Sequence, residues 1–136
     1  MRMHEVQSVE LGVATARAFR FIADARELPR WTDAFAEVRS DRAVMRTANG
    51  EVEVGLRVAA DASAGTVDWR MTFEGGAEAQ AFSRVTPIDA QRCVYTFVLM
   101  APPVPLEQLE GALEQQSRTL AAELVRLKRL LESRAE

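Results

Sequence analysis

One cysteine, one histidine, one lysine and one tyrosine are all that 136 residues hold of those types. A lone Cys93 excludes an intramolecular disulfide framework, and with His4 as the single histidine no Cys/His set has zinc-ligand spacing. No metal and no cofactor is therefore expected. No apolar run approaches the ~18 residues that a membrane span requires. The opening residues, MRMHEVQSVELG, alternate and carry charge, unlike a signal peptide. With one unpaired cysteine this fits a cytoplasmic protein. Positive charge has no surplus either: 17 Lys and Arg stand against 20 Asp and Glu, a net of −3. Nucleic-acid binding, which needs a basic face, is not expected. A phosphate loop is missing as well, because Gly75-Gly76 sits between two alternating runs and reads as a hairpin turn.

What the chain does have is patterning. Residues 4–11 alternate as a strand. Thr15 then offers an N-cap for a short helix over 16–23, with Ala18, Phe19 and Ile22 on one face. Asp24 caps a second short turn, and Pro29 forbids its extension into a long helix. Strand signals follow at 34–41 and 43–48, then Asn49-Gly50, a type I′ hairpin dipeptide. Residues 51–59 place Val52, Val54, Leu56 and Val58 on one side. Residues 66–74 do the same with Val67, Trp69, Met71 and Phe73. A strand at 78–86 is expected to stop at Pro87, ahead of a turn at Ile88-Asp89-Ala90. The run 92–101 is apolar on both faces. Either Cys93, Tyr95, Phe97 and Leu99 look inward, which is favoured, or Val94, Thr96, Val98 and Met100 do. Clean alternation means one buried and one wet face, as in an antiparallel sheet. Leu106, Leu109, Leu113, Leu120, Leu124, Leu127 and Leu131 then share one face of a helix over 106–132. A free coiled coil is the competing reading, but it would leave the sheet's apolar face bare.

The residues 14–24, ATARAFRFIAD, the corner LPRWTD at 28–33 and the Leu-rich last helix resemble the helix-grip, START-like (Bet v 1-like) superfamily, and within it the polyketide cyclase/dehydrase-type SRPBCC proteins. The resemblance covers the whole chain as one domain, 1–136. It implies an α+β helix-grip fold, a seven-stranded curved antiparallel sheet around the C-terminal helix, with an apolar cavity between them. The function it implies is binding or carriage of a small hydrophobic molecule, lipid-like or aromatic. A cyclase/aromatase-type enzyme using the same cavity is the alternative. An interaction or stress-related module with a filled cavity is the third reading.

The residue chemistry gives no catalytic set. His4 lies at a strand start without an orienting partner, and Cys93 reads as a buried structural thiol. The candidate cavity residues are Trp31 and Phe35 at the corner, Val54, Leu56, Trp69, Met71 and Phe73 on the central strands, and Tyr95 and Phe97 on the last strand. Leu109, Leu113, Gln116 and Leu120 complete the set from the helix. Trp31 either plugs the helix–sheet junction or borders the mouth, and Trp69 and Tyr95 are either core or cavity wall. Gln116 interrupts the leucine stripe, and a buried amide needs a partner: Tyr95 or Ser83, a water, or a ligand that it orients. The doubly apolar last strand and the long amphipathic helix also suggest a weak homodimer.

Overall fold

A computed structural model of the chain describes residues 3–47, 50–101 and 106–133, the side chains of 106–112 excepted. The elements run β1 (His4–Leu11), α1 (Thr15–Ala23), a single 3-10 turn (Ala25–Glu27), α2 (Leu28–Trp31), β2 (Phe35–Arg39), β3 (Arg42–Thr47), β4 (Gly50–Asp61), β5 (Thr66–Thr72), β6 (Glu78–Asp89), β7 (Arg92–Met100) and α3 (Leu106–Glu132). The strands form one antiparallel sheet in the order β1-β7-β6-β5-β4-β3-β2. From β2 to β7 every neighbour in space is the neighbour in sequence, and only β1 is brought back from the far end of the chain, to pair with β7.

Period-two alternation decides which face is buried. Val54 and Leu56 on β4, Val67, Trp69 and Met71 on β5, Ala81, Ser83 and Val85 on β6, and Cys93 and Tyr95 on β7 are all buried on one side. The favoured parity of the last strand is the one adopted: Cys93 and Tyr95 are 0 % exposed. Leu120, Leu124, Leu127 and Leu131 of α3 join these residues in one core, together with Leu11, Ala18, Ile22, Leu28 and Trp31. Burying a leucine side chain contributes about 1.5–3 kcal/mol, so this stripe is what holds α3 to the sheet.

Four local expectations are corrected. Thr15 is the first helical residue, not the cap. Ala14 takes the N-cap position without a side-chain bond, and the Thr15 hydroxyl is buried without a partner among the described residues. Pro87 does not end β6. The strand runs on to Asp89 through a register shift between Pro87 and Asp89, so the missing N–H falls at a bulge and the turn moves to Ala90-Gln91. Gly50, at φ +106°, already pairs with Thr47 as a strand residue, while its expected turn partner Asn49 lies outside the described residues. Gln116 is exposed, and Ser117 occupies the half-buried place between Leu113 and Leu120.

Other details follow the sequence. The Asp24 carboxylate accepts from the Arg26 backbone N–H at 3.1 Å, capping the 3-10 turn as expected, and Pro29 sits in the first turn of α2, where its missing donor costs nothing. Gly65 is required for a different reason. Its φ is +76°, and a Cβ there would collide with the Val85 carbonyl oxygen. The β4–β5 turn thus passes directly over β6, and Val85 N–H donates to the Gly65 carbonyl at 2.8 Å. Among the described residues no helix is long and apolar enough to cross a membrane.

Candidate functional site

Four aromatic rings form a connected string on the buried face of the sheet. Trp31, delivered by the short α2 turn, meets Tyr95 edge-on, with ring centroids 6.2 Å apart and planes at 82°. Tyr95 and Phe97 stand two apart on β7 and therefore on one face; their centroids are 6.2 Å apart at 73°. Trp69 on β5 stacks with Phe97 at 5.8 Å and 26°. β5 and β7 are separated by β6, and the string closes because β6 offers only small side chains there. Ala81 lies opposite Trp69, and Ser83 opposite Phe97. The small side chains of β6 thus let rings from two strands meet over it.

Burial falls away from Trp31 and Tyr95. Trp31 is 1 % and Tyr95 0 % exposed, Trp69 and Met71 are buried, and Phe73, Phe97 and Leu99 are half-buried. The polar side chains of β1 stand beside this more open end, Gln7 opposite Phe97 and Glu5 opposite Leu99. There Gln7 donates from Nε2 to the Ser117 carbonyl at 2.7 Å and hydroxyl at 2.8 Å, and the Ser117 hydroxyl donates to Glu5 Oε2 at 2.9 Å. This cluster ties β1 to α3.

Three polar ring atoms are buried without a hydrogen-bond partner among the described residues: Trp31 Nε1, Trp69 Nε1 and the Tyr95 hydroxyl. The nearby Ser83 hydroxyl donates to the Val67 carbonyl at 2.6 Å. Burial pushes the Tyr95 phenol far above its ordinary range, opposed only in part by Ser83. The phenol therefore stays neutral and able to donate. All three orphaned groups can donate, and each is left at a cost of about 1–3 kcal/mol when unmet.

Of the residues expected at the site, Trp31, Phe35, Val54, Leu56, Trp69, Met71, Tyr95, Leu113 and Leu120 are buried, and Phe73 and Phe97 are half-buried. The Leu109 side chain lies outside the described residues. Gln116 is not among those brought together. It is three residues after Leu113 and Ser117 is four, so either fits the stripe by spacing. β1 lies on the Ser117 flank, and the other flank is covered by the loop after α2 only from Glu123 onward. Neither Tyr95 nor Ser83 bonds to Gln116.

Glu123 was not foreseen. Its carboxylate is only 8 % exposed and accepts the Asp33 backbone N–H at 2.6 Å. Burial raises its pKa, with the Asp33 charge adding and the Asp33 N–H and Arg126 opposing. The signal lay in the spacing: Glu123 is three residues from Leu120 and four from Leu127, on the flank of the stripe. Its place is structural, fastening α3 to the loop that follows Trp31. Cys93 is buried and burial raises its pKa, which makes it a poor nucleophile. Among the described residues no three His, Cys, Asp or Glu side chains are grouped to hold a metal ion.

No family model and no curated protein sequence matches the chain. Solved structures do match in shape. An aromatase/cyclase, Zhui, from a Streptomyces species superposes with a TM-score of 0.72 at 14% identity, over 98% of this chain and 95% of that one. A START superfamily protein from Mycobacterium smegmatis gives 0.65 at 13% identity, over 95% and 99%. The di-domain aromatase/cyclase BexL of the BE-7585A biosynthetic pathway gives 0.68 at 16%, and this chain spans 47% of its length. The chain therefore has the START-like helix-grip fold, the fold of the aromatase/cyclases.

Proposed function

We propose that the chain binds a small, flat, largely apolar molecule between the buried face of the sheet and α3. One observation carries this reading. The string Trp31–Tyr95–Phe97–Trp69 lines the buried face of the sheet with aromatic rings and leaves three polar ring atoms without partners among the described residues. Apolar walls with a few converging polar groups are the usual design of a small-molecule site. Because every orphaned group is a donor, the ligand carries acceptor oxygens, as in a ring ketone or quinone. Phe97, Phe73 and Leu99, the half-buried members, mark the end at which it enters.

Native mass spectrometry of freshly purified protein tests the reading, paired with a titration of tryptophan fluorescence by 1,4-naphthoquinone. A co-purifying mass or saturable quenching that Phe97→Ala weakens supports it. A bare chain with no saturable quenching overturns it and favours an interaction module whose core is filled by its own side chains.

Enzymatic ring closure between the sheet and α3 is the alternative reading. It is supported by the shared fold of the aromatase/cyclases and by a phenol at Tyr95 held neutral by burial. Catalysis would then rest on positioning and on donation by Tyr95 to a carbonyl oxygen of the substrate. Loss of the mass of water from a bound poly-ketone, abolished in Tyr95→Phe while binding persists, separates enzyme from carrier.

A further inference from the structure

A concavity lies on the outside of the molecule, away from the aromatic string. It is a groove of about 280 Å³ between α1 and the last turns of α3. Its apolar side is Phe21, Leu130 and Leu131; Arg17 and Arg20, three residues apart and hence on one face of α1, form its rim.

The charges of the groove do not cancel. Asp24 and Glu27 also line it, but each is spent on another arginine. Asp24 pairs with Arg26 at 3.0 Å and Glu27 with Arg30 at 3.0 Å, and Arg30 lies over the Phe21 ring. The side chains of Arg17 and Arg20 make no ion pair or hydrogen bond among the described residues. On α1 and the turn after it the balance is positive. Between Thr15 and Trp31 four arginines outnumber two carboxylates, in a chain whose net charge is −3. Two guanidiniums without an ion pair among the described residues, beside three apolar side chains, match an anion with an apolar body. The planar fork of arginine matches a carboxylate, which it binds in bidentate fashion.

We propose that this groove binds a small organic carboxylate, its apolar body on Phe21, Leu130 and Leu131 and its carboxylate between Arg17 and Arg20. The proposal does not depend on the aromatic string. The probes are 1-naphthoate, its neutral counterpart 1-naphthalenemethanol, and inorganic phosphate, followed by chemical-shift changes in the isotopically labelled full chain. The expected result is that 1-naphthoate shifts the resonances of Leu130 and Leu131 and binds about tenfold more tightly than the alcohol. Arg17→Gln and Arg20→Gln each weaken it about three- to tenfold with no change in melting temperature, since neither side chain has a partner to lose among the described residues. Leu130→Ala weakens naphthoate and leaves phosphate unchanged. The proposal is overturned if 1-naphthoate leaves Leu130 and Leu131 unmoved at millimolar concentration. It is overturned equally if the arginine variants bind it as the parent does, or if phosphate binds as tightly as naphthoate.

Discussion

Tyr95 is the only tyrosine in the chain, so the tyrosinate absorption band of an alkaline titration reports this side chain alone. Its ring is fully buried, its hydroxyl lacks a partner among the described residues, and burial raises its pKa far above that of a free phenol. In the unfolded chain the phenol ionises near pH ~10. Above that pH the unfolded chain gives up a proton that the folded chain keeps, so rising pH favours unfolding. Tyr95 then costs ~1.4 kcal/mol of stability for each pH unit beyond about 10. Two units would remove ~2.7 kcal/mol from a total that for domains of this kind is about 5–15 kcal/mol. Tyr95→Phe abolishes that slope, and the difference between parent and variant isolates it from every other group that titrates in alkali. Deleting the hydroxyl also removes an unmet polar group, so the variant should gain ~1–2 kcal/mol at neutral pH. Denaturant unfolding of both proteins at a series of pH values, with the tyrosinate band recorded beside far-ultraviolet dichroism, makes the measurement. The band should rise only as the dichroism is lost. A tyrosinate band with a midpoint near pH ~10 in a protein still folded would refute the argument, and so would a Tyr95→Phe variant less stable than its parent by more than ~1 kcal/mol.

Leu120→Ala should cost ~2–5 kcal/mol in the same unfolding assay; a change below half a kcal/mol would show that α3 does not grip the sheet at this point. Glu123→Gln keeps an acceptor for the Asp33 N–H while removing a buried charge, so stability at neutral pH should hold or rise. Glu123→Ala, which leaves that N–H unmet, should lose ~1–3 kcal/mol, and equal losses in both variants would mean that the charge itself is needed. Val6, Val98 and Phe82 form a cross-strand row on the face of the sheet turned away from α3, with Val6 51% and Phe82 36% exposed. Such a row should support weak, reversible self-association. Sedimentation should show dimer approaching ~100 μM that Phe82→Glu removes, and a clean monomer at that concentration would end the idea.

Faces were legible in the sequence wherever a strand alternates cleanly, as β4 and β5 do, because one wet side and one dry side leave only one register. The aromatic parity of β7 was harder, since Val94, Thr96 and Val98 compete with Cys93, Tyr95 and Phe97, and pairing with β1 and β6 decides it. Pro87 misled because the rule about proline in strands concerns a missing donor, and a bulge supplies a position where no donor is needed. Gln116 and Ser117 fit the leucine spacing equally well, so the choice between them is made by which element lies on each flank of α3. Spacing puts Glu123 on the flank of the stripe, but what buries it there is a backbone N–H ninety residues earlier in the chain, which spacing does not show. The aromatic string needed one fact about β6, that its small residues lie between Trp69 and Phe97, and this is a matter of register rather than composition.

The return of β1 to the end of the sheet has a kinetic meaning. Strands β2 to β7 can assemble as successive hairpins, each closing a short loop. β1 cannot join until β7 exists, and pairing Val9 with Tyr95 closes a loop of most of the chain. Its other fastenings are just as distant: Gln7 to Ser117, Gly12 N–H to the Glu132 carboxylate at 2.8 Å, and Lys128 to the Glu10 carbonyl at 2.9 Å. Contacts made after the rate-limiting step govern how fast a protein comes apart rather than how fast it forms. A clasp between β1 and the end of α3 that closes after that step would set the lifetime of the folded state, leaving the hairpins from β2 to β7 to set how quickly that state is reached.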